Sequence, residues 1–198
     1  LWRSAEQRVR DWHGQYLAVH CGALGRSNRA ALRQRERALR MLGFRELDAG
    51  LFLRPDNLGA GVEGVRVRLK KLGLQGEASV FVASDFDAER SERIRKLWDG
   101  KALNASYRKL TAQLNDWMAR ADQLDAEAAA RESFLLGGRA IREIVYDPLL
   151  PAPFVDIEAR RQFVDTVHRY DAFGKAIWRS SHDMTFNAKA ASPLARKH

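Results

Sequence analysis

The stretch LRMLGFRELDAGLFLRPDN, residues 39–57, decides the fold. Two short apolar runs, Phe44 to Leu47 and Leu51 to Leu53, flank the turn Asp48-Ala49-Gly50, so the stretch reads as a β-hairpin. Gly43 stops whatever precedes it and Pro55 ends the second strand. Upstream, Arg29 to Leu42 carries Leu32, Leu39 and Leu42 at helical spacing, with Ser27 or Asn28 available as a cap. QYLAVHC, residues 15–21, is a short β-friendly run with a glycine on either side. Downstream, Val62, Val65, Leu69 and Leu72 share one face of a second helix, and EASVFVAS, residues 77–84, is a further strand. The order β-α-β-β-α-β predicts an α+β chain with a ferredoxin-like domain, both helices covering one face of an antiparallel sheet. The other face then needs a cover, from a second copy or a neighbouring domain.

After Asp85 the pattern becomes helical. Arg90 to Trp98 is one short candidate. Ala102 to Met118 is strongly amphipathic, with Leu103, Tyr107, Leu110, Leu114 and Trp117 keeping a three-or-four spacing. Asp125 to Val145 reads as a helix that Gly137-Gly138 should bend or interrupt. DPLLPAP, residues 147–153, cannot continue a helix and fixes an extended connector. Ile157 to Trp178 resumes the helical pattern, and periodicity is lost from Ser180. The expected division is a linker at 1–11, a ferredoxin-like central domain at 12–87, a mostly helical carboxyl-terminal domain at 88–179 and a mobile basic tail at 180–198.

The 198 residues carry a net charge of +9, which favours polyanionic partners. The single cysteine, Cys21, excludes an intramolecular disulfide and a cysteine-rich zinc site, and fits a reducing cytoplasm. No apolar run approaches the ~20 residues that span a bilayer, and the amino terminus, which lacks Met, has no signal-peptide core. A longer natural protein at that end is expected.

Side chains fall at ~100° intervals around a helix. Arg26, Arg29, Arg33, Arg37 and Arg40 therefore share one side of the first helix, opposite its leucines, with Glu36 the lone acid. This stripe reads either as a contact for phosphates of DNA or a ligand, or as a solvated face. Arg35 projects instead near the middle of the apolar face, where it must snorkel, pair with a carboxylate or meet a neighbouring domain. Arg66, Arg68, Lys70 and Lys71 form a second basic cluster around the second helix. Catalytic patterns are weak. His20 and Cys21 are adjacent and face opposite sides of a strand. The five histidines show no HxxxH or HExxH spacing, and GAGVEG at 59–64 lacks a parallel βαβ context. Asp85 and Asp87 read as loop and cap residues ahead of a helix. No catalytic residue, metal or cofactor is expected.

Four segments, in order, resemble the PaaX-like (phenylacetate-degradation repressor) family: WHGQYLAVHC at 12–21, the opening stretch at 39–57, KLWDGKALNASYRKL at 96–110 and DPLLPAP at 147–153. The resemblance implies a homodimeric transcriptional repressor of catabolic genes. It also implies an amino-terminal winged helix for operator DNA, a ferredoxin-like centre and a helical carboxyl-terminal domain. In the best-known members phenylacetyl-coenzyme A releases the DNA. Trp12 already enters the central domain here, so the winged helix is expected to lie outside this sequence. Residues 134–151 read FLLGGRAIREIVYDPLLP, where the commoner pattern has a His- and Arg-rich approach to the prolines. The central domain also resembles that of CRISPR spacer-acquisition nucleases, which need an Asp at the end of the first strand. That place holds His20, Cys21 or Gly22 here, so no nuclease is expected.

The expectation is thus dimerisation and effector sensing in the cytoplasm, without a membrane. The effector, an acyl-coenzyme A in the family manner, would meet Tyr146, Asp147, His168 and Tyr170 in a cleft, with Arg66, Arg68, Lys70 and Lys71 taking its phosphates. The same connector also reads as a packed hinge. The alternative readings are a nucleic-acid-processing or nonspecific nucleic-acid-binding protein on the same scaffold.

Overall fold

The computed structural model describes residues 9–22, 24, 25 and 27–190. Its strands are β1 (Tyr16–His20), β2 (Arg45–Asp48), β3 (Leu51–Pro55) and β4 (Ser79–Ala83). Its helices are α1 (Arg29–Met41), α2 (Gly61–Lys71), α3 (Ala88–Arg95), α4 (Gly100–Arg120), α5 (Ala126–Tyr146) and α6 (Ile157–Ala190). The strands form one antiparallel sheet in the order β2-β3-β1-β4, with Ala18 opposite both Leu53 and Phe81. This is the ferredoxin-like arrangement that the hairpin predicts. The hairpin is irregular, its register shifting between Glu46 and Asp48. Asn28 caps α1, its side chain accepting from the amides of Ala30 and Ala31 at 3.1 Å. Asp87 caps α3 through the Arg90 amide at 2.7 Å, the role read for it in the sequence.

Successive strand residues face opposite sides, and both sides of β1 are sealed. Leu17 and Val19 pack with Leu39 and Leu42 of the α1 segment and with Val65 and Leu69 of α2. Tyr16 and Ala18 pack with Leu47, Leu53, Ile94, Trp98, Leu150 and Val155. The cover that the sheet needs therefore comes from the chain itself: α3, the turn into α4, and the connector between α5 and α6. Polar bonds fix it. Arg93 donates to the Asp48 carboxylate at 2.7 Å and to the Leu47 carbonyl at 3.0 Å, and Trp98 donates its indole N–H to the Gly43 carbonyl at 2.9 Å.

Beyond Trp98, α4, α5 and α6 make a second core around Tyr107, Leu114, Trp117, Ile144, Phe163 and Val167. Leu114, Trp117 and Phe163 are fully buried, and sealing each such side chain contributes ~1.5–3 kcal/mol. Two sequence expectations change here. α5 runs through Gly137-Gly138 without a break, because packing against α4 and α6 outweighs the ~1 kcal/mol that each glycine costs a helix. α6 continues through Ser180 to Ala190, so helix reaches well into the stretch read as a tail. Residues 191–198 lie outside the described residues.

Candidate functional site

The connector after α5 is held by buried polar groups rather than by apolar contact alone. Asp147 closes α5, and its Oδ1 accepts the Leu149 amide at 2.7 Å while its Oδ2 accepts the Tyr107 hydroxyl at 2.9 Å. Burial pushes the Asp147 carboxyl above its ordinary range, against the pull of the Leu149 amide and the Arg160 charge. Burial likewise pushes the Tyr107 hydroxyl well up, and the Asp147 charge adds to it. Leu149 sits at φ 53°, in the left-handed region that a branched side chain disfavours. The bonds around it hold it there.

Arg54 anchors the connector to the sheet. It is fully buried and donates to four acceptors: the carbonyls of Leu42, Pro55 and Pro148 and the Asn57 side chain. Asn57 in turn donates to the Leu149 carbonyl at 2.7 Å. Burial pushes the Arg54 guanidinium down to about 9, partly offset by Asp56, so it stays charged at neutral pH. On the other side Arg160 of α6 donates to the Leu150 carbonyl at 2.8 Å. Gly43 completes the joint. It lies at φ +78°, and a Cβ there would come within 3.0–3.2 Å of Pro148.

Asp147 also lines a cavity of about 550 Å³ between α4 and α5. Lys109, Arg139 and Arg142 give it positive charge, and Glu143 and Asp147 oppose them. Leu103 and Leu110 supply apolar wall. Tyr146 stands at the rim, with the Arg142 guanidinium 5.8 Å from its ring centre. This volume lies within the ~300–1,000 Å³ usual for small-molecule sites.

The structure brings together only part of the expected effector set. Tyr146 and Asp147 line this cavity. Tyr170 instead packs in the helical core, donates to the Ser133 carbonyl at 2.9 Å and borders a smaller hollow of about 180 Å³ between α5 and α6. His168 lies on α6 and lines neither space. Arg66, Arg68, Lys70 and Lys71 sit exposed on α2, outside the cavity, and Arg66 is engaged with Glu63 and with the Val80 carbonyl. The cavity cations are instead Lys109, Arg139 and Arg142. Their signal in the sequence was faint: Arg139 and Arg142 are three residues apart on one helix, and only tertiary packing sets Lys109 against them.

Arg29, Arg33, Arg37 and Arg40 are all exposed along α1 and form no ion pair among the described residues. Arg26 lies outside the described residues. Arg35 is buried and bonds to Gln75 and to the Gly25 carbonyl at 3.1 and 3.2 Å. Cys21 is buried and free. No cluster of three or more His, Cys, Asp or Glu side chains suited to a metal occurs among the described residues. No described helix is long and apolar enough to cross a membrane.

Residues 98–180 match the model of the PaaX-like protein C-terminal domain. That stretch, a little under half of the chain, is similar to the PaaX-like C-terminal domain. That span holds α4, α5, the connector and most of α6, so the cavity and its Asp147 latch lie wholly within the matched residues. The resemblance read from KLWDGKALNASYRKL and DPLLPAP falls almost entirely inside it. The chain is also similar to the solved structure of an uncharacterised protein from Mycobacterium tuberculosis, with a TM-score of 0.58 and 23% identity over 89% of this chain and 69% of that one. At that identity the likeness shows the fold alone. No curated protein matches the chain.

Proposed function

We propose that this PaaX-like chain is the effector-sensing and dimerising part of a cytoplasmic repressor of catabolic genes, and that the effector occupies the α4–α5 cavity. One observation carries the reading: a single carboxylate, Asp147, both lines the cavity and holds the connector. A ligand that engages Asp147, or displaces the Tyr107 hydroxyl from it, weakens the bond that pins Leu149. The carbonyls of Pro148 and Leu149, which Arg54 and Asn57 hold, shift with it. Binding is thereby converted into movement of the helical part against the sheet.

A ligand shifts such an equilibrium only by its difference in affinity for the two states. Moving a latch that only one state contains meets that requirement. In a dimer the change would alter the spacing of two DNA-reading domains relative to their operator half-sites. The exposed arginines of α1 would supply a sequence-independent contact to phosphates.

The effector class in this reading is an acyl-coenzyme A thioester such as phenylacetyl-coenzyme A, with Lys109, Arg139 and Arg142 as phosphate partners. Thermal unfolding of the chain against a series of thioesters tests it. A true effector raises the melting temperature with concentration, in proportion to the logarithm of its saturation. Arg142→Ala and Lys109→Ala should reduce that rise. Stabilisation by none of the thioesters would remove the coenzyme A assignment, and an undiminished rise in both variants would remove the cavity.

A further inference from the structure

A second cavity, of about 240 Å³, lies at the far end of the sheet from the connector latch. The end of β1, the turn between β2 and β3 and one side of α1 enclose it. Its charges are ordered by depth. Arg35 is only 3% exposed, and no carboxylate pairs with it among the described residues. Two of its three guanidinium nitrogens are bonded, Nε to Gln75 and Nη2 to the Gly25 carbonyl, which leaves Nη1 without a partner among the described residues. A buried cation held only by neutral groups favours an anion beside it. Glu36 and Glu46 also line the space but are nearer solvent: Glu36 is half-buried and Glu46 exposed. One oxygen of Glu46 accepts the Gly50 amide at 2.9 Å. Leu24, Leu32 and Phe52 provide apolar wall.

A cation on the floor with two acids at the mouth fits neither a phosphate, which the acids repel, nor a simple amine, which the arginine repels. It fits a molecule that is negative at its inner end and positive at its outer end. The volume, below the ~300 Å³ at which drug-sized ligand sites begin, restricts that molecule to a small one. We propose that this cavity binds a small α-amino acid, its carboxylate on Arg35, its ammonium between Glu36 and Glu46, and a short side chain against Leu32 and Phe52. The Cys21 thiol lies in the same space, where it feels both Arg35 and Glu46, although burial dominates in holding its acidity low. The site shares no residue with the α4–α5 cavity, so it stands or falls independently of the effector reading.

Calorimetric titration of the chain with the α-amino acids, propionate, propylamine and inorganic phosphate tests the proposal. At least one small amino acid should bind saturably, propionate more weakly, and propylamine and phosphate not at all. Glu46→Gln keeps the acceptor for Gly50 and removes only a charge at the mouth, so it should fold. It should weaken amino-acid binding by about tenfold or more, the equivalent of one charge-assisted hydrogen bond, while leaving propionate unchanged or tighter. Arg35→Gln should abolish both. The proposal is overturned if no amino acid binds, if propionate or phosphate binds as tightly as the best amino acid, or if Glu46→Gln leaves amino-acid affinity intact.

Discussion

Arg54→Met tests whether the sheet and the helical part are joined through one buried guanidinium. Methionine keeps much of the apolar stem and removes four donated bonds, three to backbone carbonyls and one to Asn57. The carbonyls of Leu42 and Pro148 are then left facing a thioether. Each bond to a charged group is worth ~1.5–3 kcal/mol, and shared geometry makes the losses less than additive. A total of ~3–5 kcal/mol follows, the range for removing one partner of a buried charged network. Against a typical stability of ~5–15 kcal/mol the variant should remain folded but fragile. Because the Pro148 bond crosses between the two cores, the loss should also be uneven. Native-state hydrogen exchange reads this directly. Amides of β1 and β3 and those of α4 near Trp117 should open with similar free energies in the parent chain, and separately in the variant. Urea unfolding supplies the total. A loss below ~1 kcal/mol, or exchange that stays concerted across both cores, would refute the idea that Arg54 is the joint.

Asp147→Asn addresses the latch through pH. Because burial raises the folded-state pKa of Asp147, the folded chain binds its proton more tightly than the unfolded chain does. Its contribution is therefore most favourable below the ordinary carboxylate value and is lost as pH rises through the folded value. The parent should gain stability relative to Asp147→Asn as the pH falls through the acid range, a difference that denaturant melts at several pH values measure. Gly43→Ala places a methyl against Pro148 at positive φ and should cost more than ~1 kcal/mol, with thermal melts as the check. An effect within experimental error would show that the connector moves aside freely. Arg33→Ala together with Arg37→Ala should leave stability unchanged and lower the salt dependence of DNA binding by ~0.9 in log-log slope for each phosphate that is no longer neutralised. An unchanged slope would return the stripe to the role of a solvated face.

The sheet could be read in advance because its information is local. Asn28, Gly43 and the turn Asp48-Ala49-Gly50 act on their immediate neighbours, and the leucine spacing of α1 needs only one helix to be meaningful. The latch was half legible. Tyr146 and Asp147 stood out because prolines follow them, but nothing nearby in the sequence reveals that Asp147 meets Tyr107 or that Arg54 meets Pro148. Those partners are 40 and 94 residues away. A clue to Arg54 existed in strand alternation, which places it on the same face as Phe52, toward the helices. A charged residue on an inward face asks for a partner, as Arg35 did. The sequence reading sets Tyr146, Asp147 and the helix that holds His168 and Tyr170 beside a single cleft, whereas α5 stands between two separate spaces. The lysines and arginines of α2 suited a phosphate by charge, but charge alone does not say which surface a helix shares with a cavity.

The covering of the sheet's second face by α3 and the connector limits how this molecule can be divided. Cutting the chain after residue 87 would strip Ala18, Leu47 and Leu53 of Ile94, Trp98 and Leu150 and leave a greasy plane open to water. Such a fragment should clump or recruit another copy over that plane, and a fusion or truncation meant to isolate the sheet must carry the segment 88–98 and a substitute for the 148–155 strap. Evolution could lengthen the helical part or swap its ligand, but it could not shed that part without first repainting the underside of the sheet.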